Sequence, residues 1–230
     1  MNKTWGKVLG AVVACLALMG GPAAASDAER EVTLSASAQT SVAQDWLRMR
    51  FAAKGDGADA SALQARLKRR LQQAIDVVQP MAAGEALRVE TGGFQLSPRY
   101  NSAGAPMGWR GSAELILSGR DFGRIGEASG KLGDLAVVSV DLSVSDSLAR
   151  QTREAVRLEA IAAFRTQASS VAQAFGYSDY DLLDVNVGSD SPGGRVPMMM
   201  RAMAADAAPV PVVAGQEDIS VQVSGRIRLR

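Results

Sequence analysis

The chain has 230 residues, 47% of them hydrophobic and 21% charged, with 25 Lys and Arg against 24 Asp and Glu. So even a balance gives no general attraction for nucleic acid, and the length suffices for one domain, or two small ones, with a real core. There is no histidine and a single cysteine, which excludes Ser-His-Asp and Cys-His nucleophile pairs, structural zinc and every internal disulfide.

Residues 1–26 have the layout of an export leader. Lys3 and Lys7 form a basic start, Val8 to Met19 an apolar centre, and Gly21-Pro22-Ala23-Ala24-Ala25 a small-residue cleavage region. The apolar centre is shorter than the roughly 20 residues that span a bilayer. A periplasmic mature chain of residues 27–230 is expected. The rival reading is a lipoprotein cleavage at Val12-Val13-Ala14-Cys15, which would place lipid on Cys15. Loss of Lys3 and Lys7 leaves the mature chain one positive charge short of its 24 acids. No later stretch is apolar and long enough to cross a membrane.

Val32, Leu34, Ala36 and Ala38 alternate with polar residues, as do Leu47, Met49 and Phe51 around Arg48 and Arg50, so both stretches read as half-buried strands. Asp56-Gly57-Ala58-Asp59 reads as a turn leading into a helix. That helix carries Leu63, Leu67, Leu71, Ala74, Ile75 and Val78 on one face and stops at Pro80. Leu87 to Leu96 and Ser112 to Ser118 read as strands of a hairpin with a long tip, Ser97 to Gly111. A short helix follows from Asp121 to Leu132, then a valine-rich strand from Ala136 to Val144. Ser145 or Ser147 caps a long helix whose inward face is Ile161, Phe164, Ala168, Val171, Ala172 and Phe175, and Gly176 suits its left-handed C-terminal cap. Leu182 to Val187 and Val221 to Leu229 complete an α+β order of β-β-α-β-β-α-β-α-β-β. Its middle, residues 47–144, is a ferredoxin-like β-α-β-β-α-β unit. Residues 31–38 and 147–230 would form a second part, in which the first strand meets the long helix and the last two strands.

Chemistry-bearing residues are sparse. Asp179, Asp181, Asp184 and Asp190 cluster in S-D-Y-D-L-L-D-V-N-V-G-S-D, but the spacing lacks the glycine at loop position six and the glutamate at position twelve of a calcium-binding EF-hand. They read instead as acids at the start and on the solvent face of a strand. Gly119 to Gly133 has no phosphate-cradling spacing. The cations of Arg66-Leu67-Lys68-Arg69-Arg70 spread over the flanks and back of a helix and read as a solvated face. Trp46 and Trp109 each read as covering an edge of the core with the indole N–H turned outward.

The tract from Ser189 to Glu217 fits neither helix nor strand. Prolines and glycines punctuate an apolar sequence holding Met198, Met199, Met200 and Met203, and a connection this long is functional, disordered or folded onto a partner. Thioethers suit Cu(I) and oxidise reversibly, so these methionines are the candidate metal or redox residues. The alternative is that they pack on the fold or a neighbour, as adaptable apolar side chains.

Several segments together resemble the SIMPL-domain family, which includes YggE-like oxidative stress defence proteins and related periplasmic antigens. They are Pro98-Arg99-Tyr100 before Gly108-Trp109-Arg110-Gly111-Ser112, the helix E-A-I-A-A-F-R-T-Q-A-S-S-V-A-Q-A-F-G, and P-M-M-M-R-A-M-A-A leading into Pro-Val-Pro and a final strand. The resemblance covers Glu31 to Arg230. Relatives tend to have a Gly-x-Gly strand and a Pro-Asp turn where this chain has Ala36-Ser37-Ala38 and Gln44-Asp45. The resemblance implies envelope location, self-association and a link to oxidative stress, and it carries over no catalytic residue. The expected function is therefore a non-enzymatic, oligomeric periplasmic protein without cofactor, acting on itself or other envelope proteins. The alternatives are Cu(I) binding or oxidant scavenging by the methionines, and an enzyme built on carboxylates.

Overall fold

A computed structural model describes residues 30–189 and 213–230. The leader with Cys15, Asp190 and Met198, Met199, Met200 and Met203 lie outside the described residues. The elements are β1 (Glu31–Ala43), β2 (Trp46–Gly57), α1 (Ala60–Val78), β3 (Arg88–Tyr100), β4 (Pro106–Gly119), α2 (Phe122–Gly130), β5 (Ala136–Ser143), α3 (Asp146–Ala174), β6 (Tyr180–Ser189) and β7 (Gln216–Leu229). Their order is the expected one, and the fold is α+β.

The strands form two antiparallel sheets, β3-β4-β2-β5 and β1-β7-β6. In the first, the two strands of the central β3-β4 hairpin lie to one side of β2 and β5 to the other, the strand order of a split β-α-β unit. Leu47, Met49, Phe51 and Ala53 point from β2 to one side, where they meet Leu115 and Leu117 of β4, Leu63 and Leu67 of α1, and Ile125 of α2. Each fully buried leucine here contributes roughly 1.5–3 kcal/mol of hydrophobic stabilisation. The period-two pattern of β2 thus meets the helical pattern of α1 on one face, leaving Arg48 and Lys54 on the other.

The second sheet packs against α3. Val156, Ala160, Phe164, Ala168 and Ala172 recur every four residues and meet Leu34 of β1 and Val221, Val223 and Ile227 of β7. A helix is about 10 Å wide and strands lie about 4.8 Å apart, so one helix covers two strands. The third, β6, is left largely uncovered.

Local chemistry sets the helix ends. The Asp59 carboxylate accepts from the Ala62 N–H at 2.7 Å and Asp121 from the Arg124 N–H at 2.9 Å, each satisfying an orphan donor of a first turn. Ser145 is the N-cap of α3. At its other end Gly176 has φ +82°, the Tyr177 N–H reaches the Ala172 carbonyl at 2.9 Å and the Gly176 N–H reaches that of Gln173 at 3.0 Å. This is a Schellman cap.

Three expectations need correction. The β3-β4 hairpin has no long tip: pairing runs to Tyr100 and Pro106, leaving only residues 101–105 between the strands. Pro98 is compatible with this because β3 is an edge strand, where a missing N–H breaks no ladder. Asp56 lies in β2 opposite Arg110, not in a turn. Phe175 does not point inward but is 68% exposed. It follows the last helical residue, and the left-handed turn at Gly176 brings Tyr177 and Tyr180 against the core instead.

Candidate functional site

The acidic cluster is bound to arginines of its own sheet. Asp184 accepts from Arg226 at 2.7 Å, Arg226 also reaches Glu31 at 3.2 Å, and Arg230 bridges Asp179 and Asp181 at 3.2 Å each. The Tyr180 backbone N–H, then Arg230, hold the Asp179 carboxyl below the ordinary carboxylate range. Hydrogen bonding to Asp184 pushes Arg226 up. Among the described residues, no group of three or more His, Cys, Asp or Glu could hold a metal ion. These acids lie at the start and on the exposed side of β6, as their pattern indicates.

Asp56 has a similar role on the first sheet. It takes Arg110 and Arg99, each at 3.1 Å, beside a shallow 570 Å³ depression that also involves Lys54 and Gln95. Its hydrogen bond from Arg110 lowers its pKa, as the bond from Ser61 lowers that of Asp59. A general acid working near neutrality needs its pKa raised instead, so none of these three carboxyls has that character.

The basic run on α1 is only partly a solvated face. Arg66 donates to the Asp56 carbonyl at 2.6 Å, and Arg70 donates to the carbonyls of Lys54, at 3.0 Å, and Asp134. These arginines tie the helix to the end of β2 and to the turn before β5, whereas Lys68 and Arg69 are exposed. Trp109 packs against the first core as expected. Trp46 is half-buried, with the Arg88 guanidinium 5.0 Å from its ring centroid, a cation–π distance.

Two further features were not legible in the residues. The first is the joint between the sheets. The chain passes between them through Gln44-Asp45 and through Val144-Ser145, and these points are bolted together. Asp45 accepts from the Ser145 N–H at 2.6 Å and its hydroxyl at 2.8 Å, while Arg120 reaches Asp45 at 3.2 Å and Ser145 at 2.7 Å. Beside the joint opens a cleft of about 1260 Å³, bordered by β5, the first turn of α3 and the start of β7.

The second is β6. Leu182, Val185 and Val187 stand opposite Ile227, Gly225 and Val223 and so belong to the helix-facing side, yet they are 54%, 44% and 41% exposed. With no neighbour on its outer edge among the described residues, β6 has an exposed apolar strip beside that edge. Its residues have the alternation of a covered strand. Only the tertiary packing shows that α3 does not reach over it.

No helix among the described residues is long and apolar enough to cross a membrane. Among solved structures, one described as the crystal structure of AtUAH in complex with glyoxylate is similar at 16% identity and a TM-score of 0.23, covering 56% of this chain and 33% of that one. The chain thus spans about a third of that protein, and a likeness this slight carries no argument. No curated protein matches the sequence. The family model described as SIMPL, protein of unknown function (DUF541), matches residues 32–227, nearly all of the two-sheet fold. The chain belongs to the SIMPL family.

Proposed function

We propose that this chain is an exported envelope protein that acts without catalysis, by self-association and by binding other envelope proteins in defence against oxidative stress. The observation that carries this reading is β6, which has an exposed apolar strip and, among the described residues, no neighbour on its outer edge. Proteins usually blunt such edges with proline, lysine, bulges or shortness. Edge β3 has Pro98 and two register shifts, and edge β5 has only eight residues. By contrast β6 has ten residues and one register shift, and its acids are paired within the sheet. A strip left so exposed fits a strand that a neighbour completes. The link to oxidative stress rests on the resemblance to YggE-like proteins, and the export leader supports a periplasmic location.

Sedimentation velocity on residues 27–230 tests the association. Concentration-dependent species larger than a monomer are expected at micromolar protein, and V185K, which places a charge on the exposed strip, should shift them to monomer with the fold retained. A strict monomer that captures no envelope protein would overturn the reading. Cells carrying V185K should also lose resistance to peroxide relative to wild type.

A further inference from the structure

We propose that the shallow depression on the four-stranded sheet, on the face opposite α1 and α2, binds a phosphorylated sugar, with Lys54 and Arg110 on the phosphate and Gln95, Ser97 and Ser112 on the sugar hydroxyls. This goes beyond the reading of the protein as an interaction module and does not depend on β6.

Two cross-strand rungs build the site. Lys54 of β2 stands opposite Ser112 of β4, which stands opposite Gln95 of β3, and Asp56, Arg110 and Ser97 form the next rung on the same face. Positions two apart in a strand share a face, and this face is the reverse of the one on which Ala53 and Leu115 meet the helices. Between the two rungs lie Gly55, Gly111 and Leu96. A Cβ on Gly111 would stand 2.7 Å from the side chains of Leu67 and Leu96, so this middle rung points to α1. What Gly55 and Gly111 present to the depression is therefore backbone, which forms its floor. The short side chains of Ser97 and Ser112 among the longer Lys54, Arg110 and Gln95 make the hollow. Its volume of about 570 Å³ falls within the range of sites for small molecules.

Charge and hydrogen bonding decide the ligand. Three cations meet one carboxylate: Arg110 and Arg99 each reach Asp56 at 3.1 Å, and Lys54 has no ion-pair partner among the described residues. Glu114, the next acid along β4 on this face, lies 3.8 Å from Arg50. Asp56 takes the Nε of Arg110, and the outer guanidinium nitrogens of that side chain can serve a second acceptor. The hydrogen bond from Arg110, then the charges of Arg110, Arg99 and Arg66, hold the Asp56 carboxyl below the ordinary range. At neutral pH it is thus an ionised group that orients arginines. The surplus of two positive charges matches a phosphate monoester, which carries about −1.5 to −2 at pH 7. Lysine as a point charge and arginine as a fork are the usual phosphate partners. No hydrocarbon side chain lines the depression, which excludes an apolar ligand body. Two hydroxyls and an amide both donate and accept, as the hydroxyls of a sugar require.

Phosphorus-31 NMR of glucose 1-phosphate titrated with the mature chain, residues 27–230, tests this whatever the size of the assembly. Saturable line broadening is expected, with inorganic phosphate and glucose each at least tenfold weaker as competitors. Lys54→Gln removes a charge, and Ser112→Leu fills the hollow while leaving every charge in place. Each variant, checked for fold by circular dichroism, should bind at least tenfold more weakly than wild type. Lys68→Gln, which removes an exposed cation of α1, should bind like wild type. Equal competition by inorganic phosphate, full binding by either site variant, an equal loss in Lys68→Gln, or no binding would overturn the proposal. Phosphatidylcholine vesicles with and without a phosphorylated glucosamine lipid distinguish the source of the ligand. Competition confined to the vesicles bearing that lipid supports the site as one for a lipid head group, and its absence supports a soluble sugar phosphate. V185K separates the two readings: its sedimentation reports on β6, whereas its affinity for glucose 1-phosphate should equal that of wild type.

Discussion

Asp45 and Ser145 have the densest polar contacts at the joint, and Ser145 is 4% exposed. Its hydroxyl both caps α3 and donates to Asp45, so Ser145→Ala should destabilise the mature chain by about 1–2 kcal/mol, read as a lower urea midpoint at unchanged slope. A double-mutant cycle with Asp45→Ala should show clear coupling, because each single change leaves the other's group without its partner. At Gly176, φ +82° makes Gly176→Ala cost about 1 kcal/mol in the same assay. Asp179 sets an acid response. Its folded pKa is lowered, so its stabilisation is fully present above the ordinary carboxylate value of about 3.9 and is lost as pH falls through the lowered value. Thermal melts of Asp179→Asn should therefore fall less steeply than wild type below about pH 4. The caps at Asp59 and Gly176 were legible because cap chemistry is local. The bond between Asp45 and Ser145 joins residues 100 positions apart, and neither residue's type marks it.

At the level of elements, α3 decides the second sheet. Phe164 is 2% exposed at its centre and packs against β1 and β7, so Phe164→Ala should cost about 3–5 kcal/mol, with V185K on uncovered β6 costing far less in the same denaturation assay. Element order and inward faces could be read from periodicity, since α1, α3, β2 and β7 each have a single apolar side. Strand ends could not. Pro98 and Gly108 look like loop residues, yet an edge position and a backbone with φ +99° accommodate them within β3 and β4. The exposure of β6 also escaped a reading by pattern, because alternation marks the side that faces a helix without revealing whether the helix is wide enough to reach it.

For the whole molecule, the sequence showed the family and the two-sheet organisation but not where the surface is reactive. Composition excluded histidine and cysteine chemistry, and Asp179, Asp181 and Asp184 proved to be tied to arginines. What remained was geometric: an exposed strip on one sheet and a cleft between both. These depend on what lies beside each strand in space. The methionines Met198, Met199, Met200 and Met203 lie outside the described residues.

Among the described residues, two connections cross from one sheet to the other, and both pass through the joint of Asp45 and Ser145. Ser145 of that joint is also the N-cap of α3, so any rotation there is passed to the helix. With 29 residues and a rise of 1.5 Å each, that helix is about 44 Å long, so a 10° turn at the joint would carry its far end through roughly 8 Å. A small rotation at the joint would therefore be largest at the remote end of the second sheet, where Arg230 pairs with Asp179.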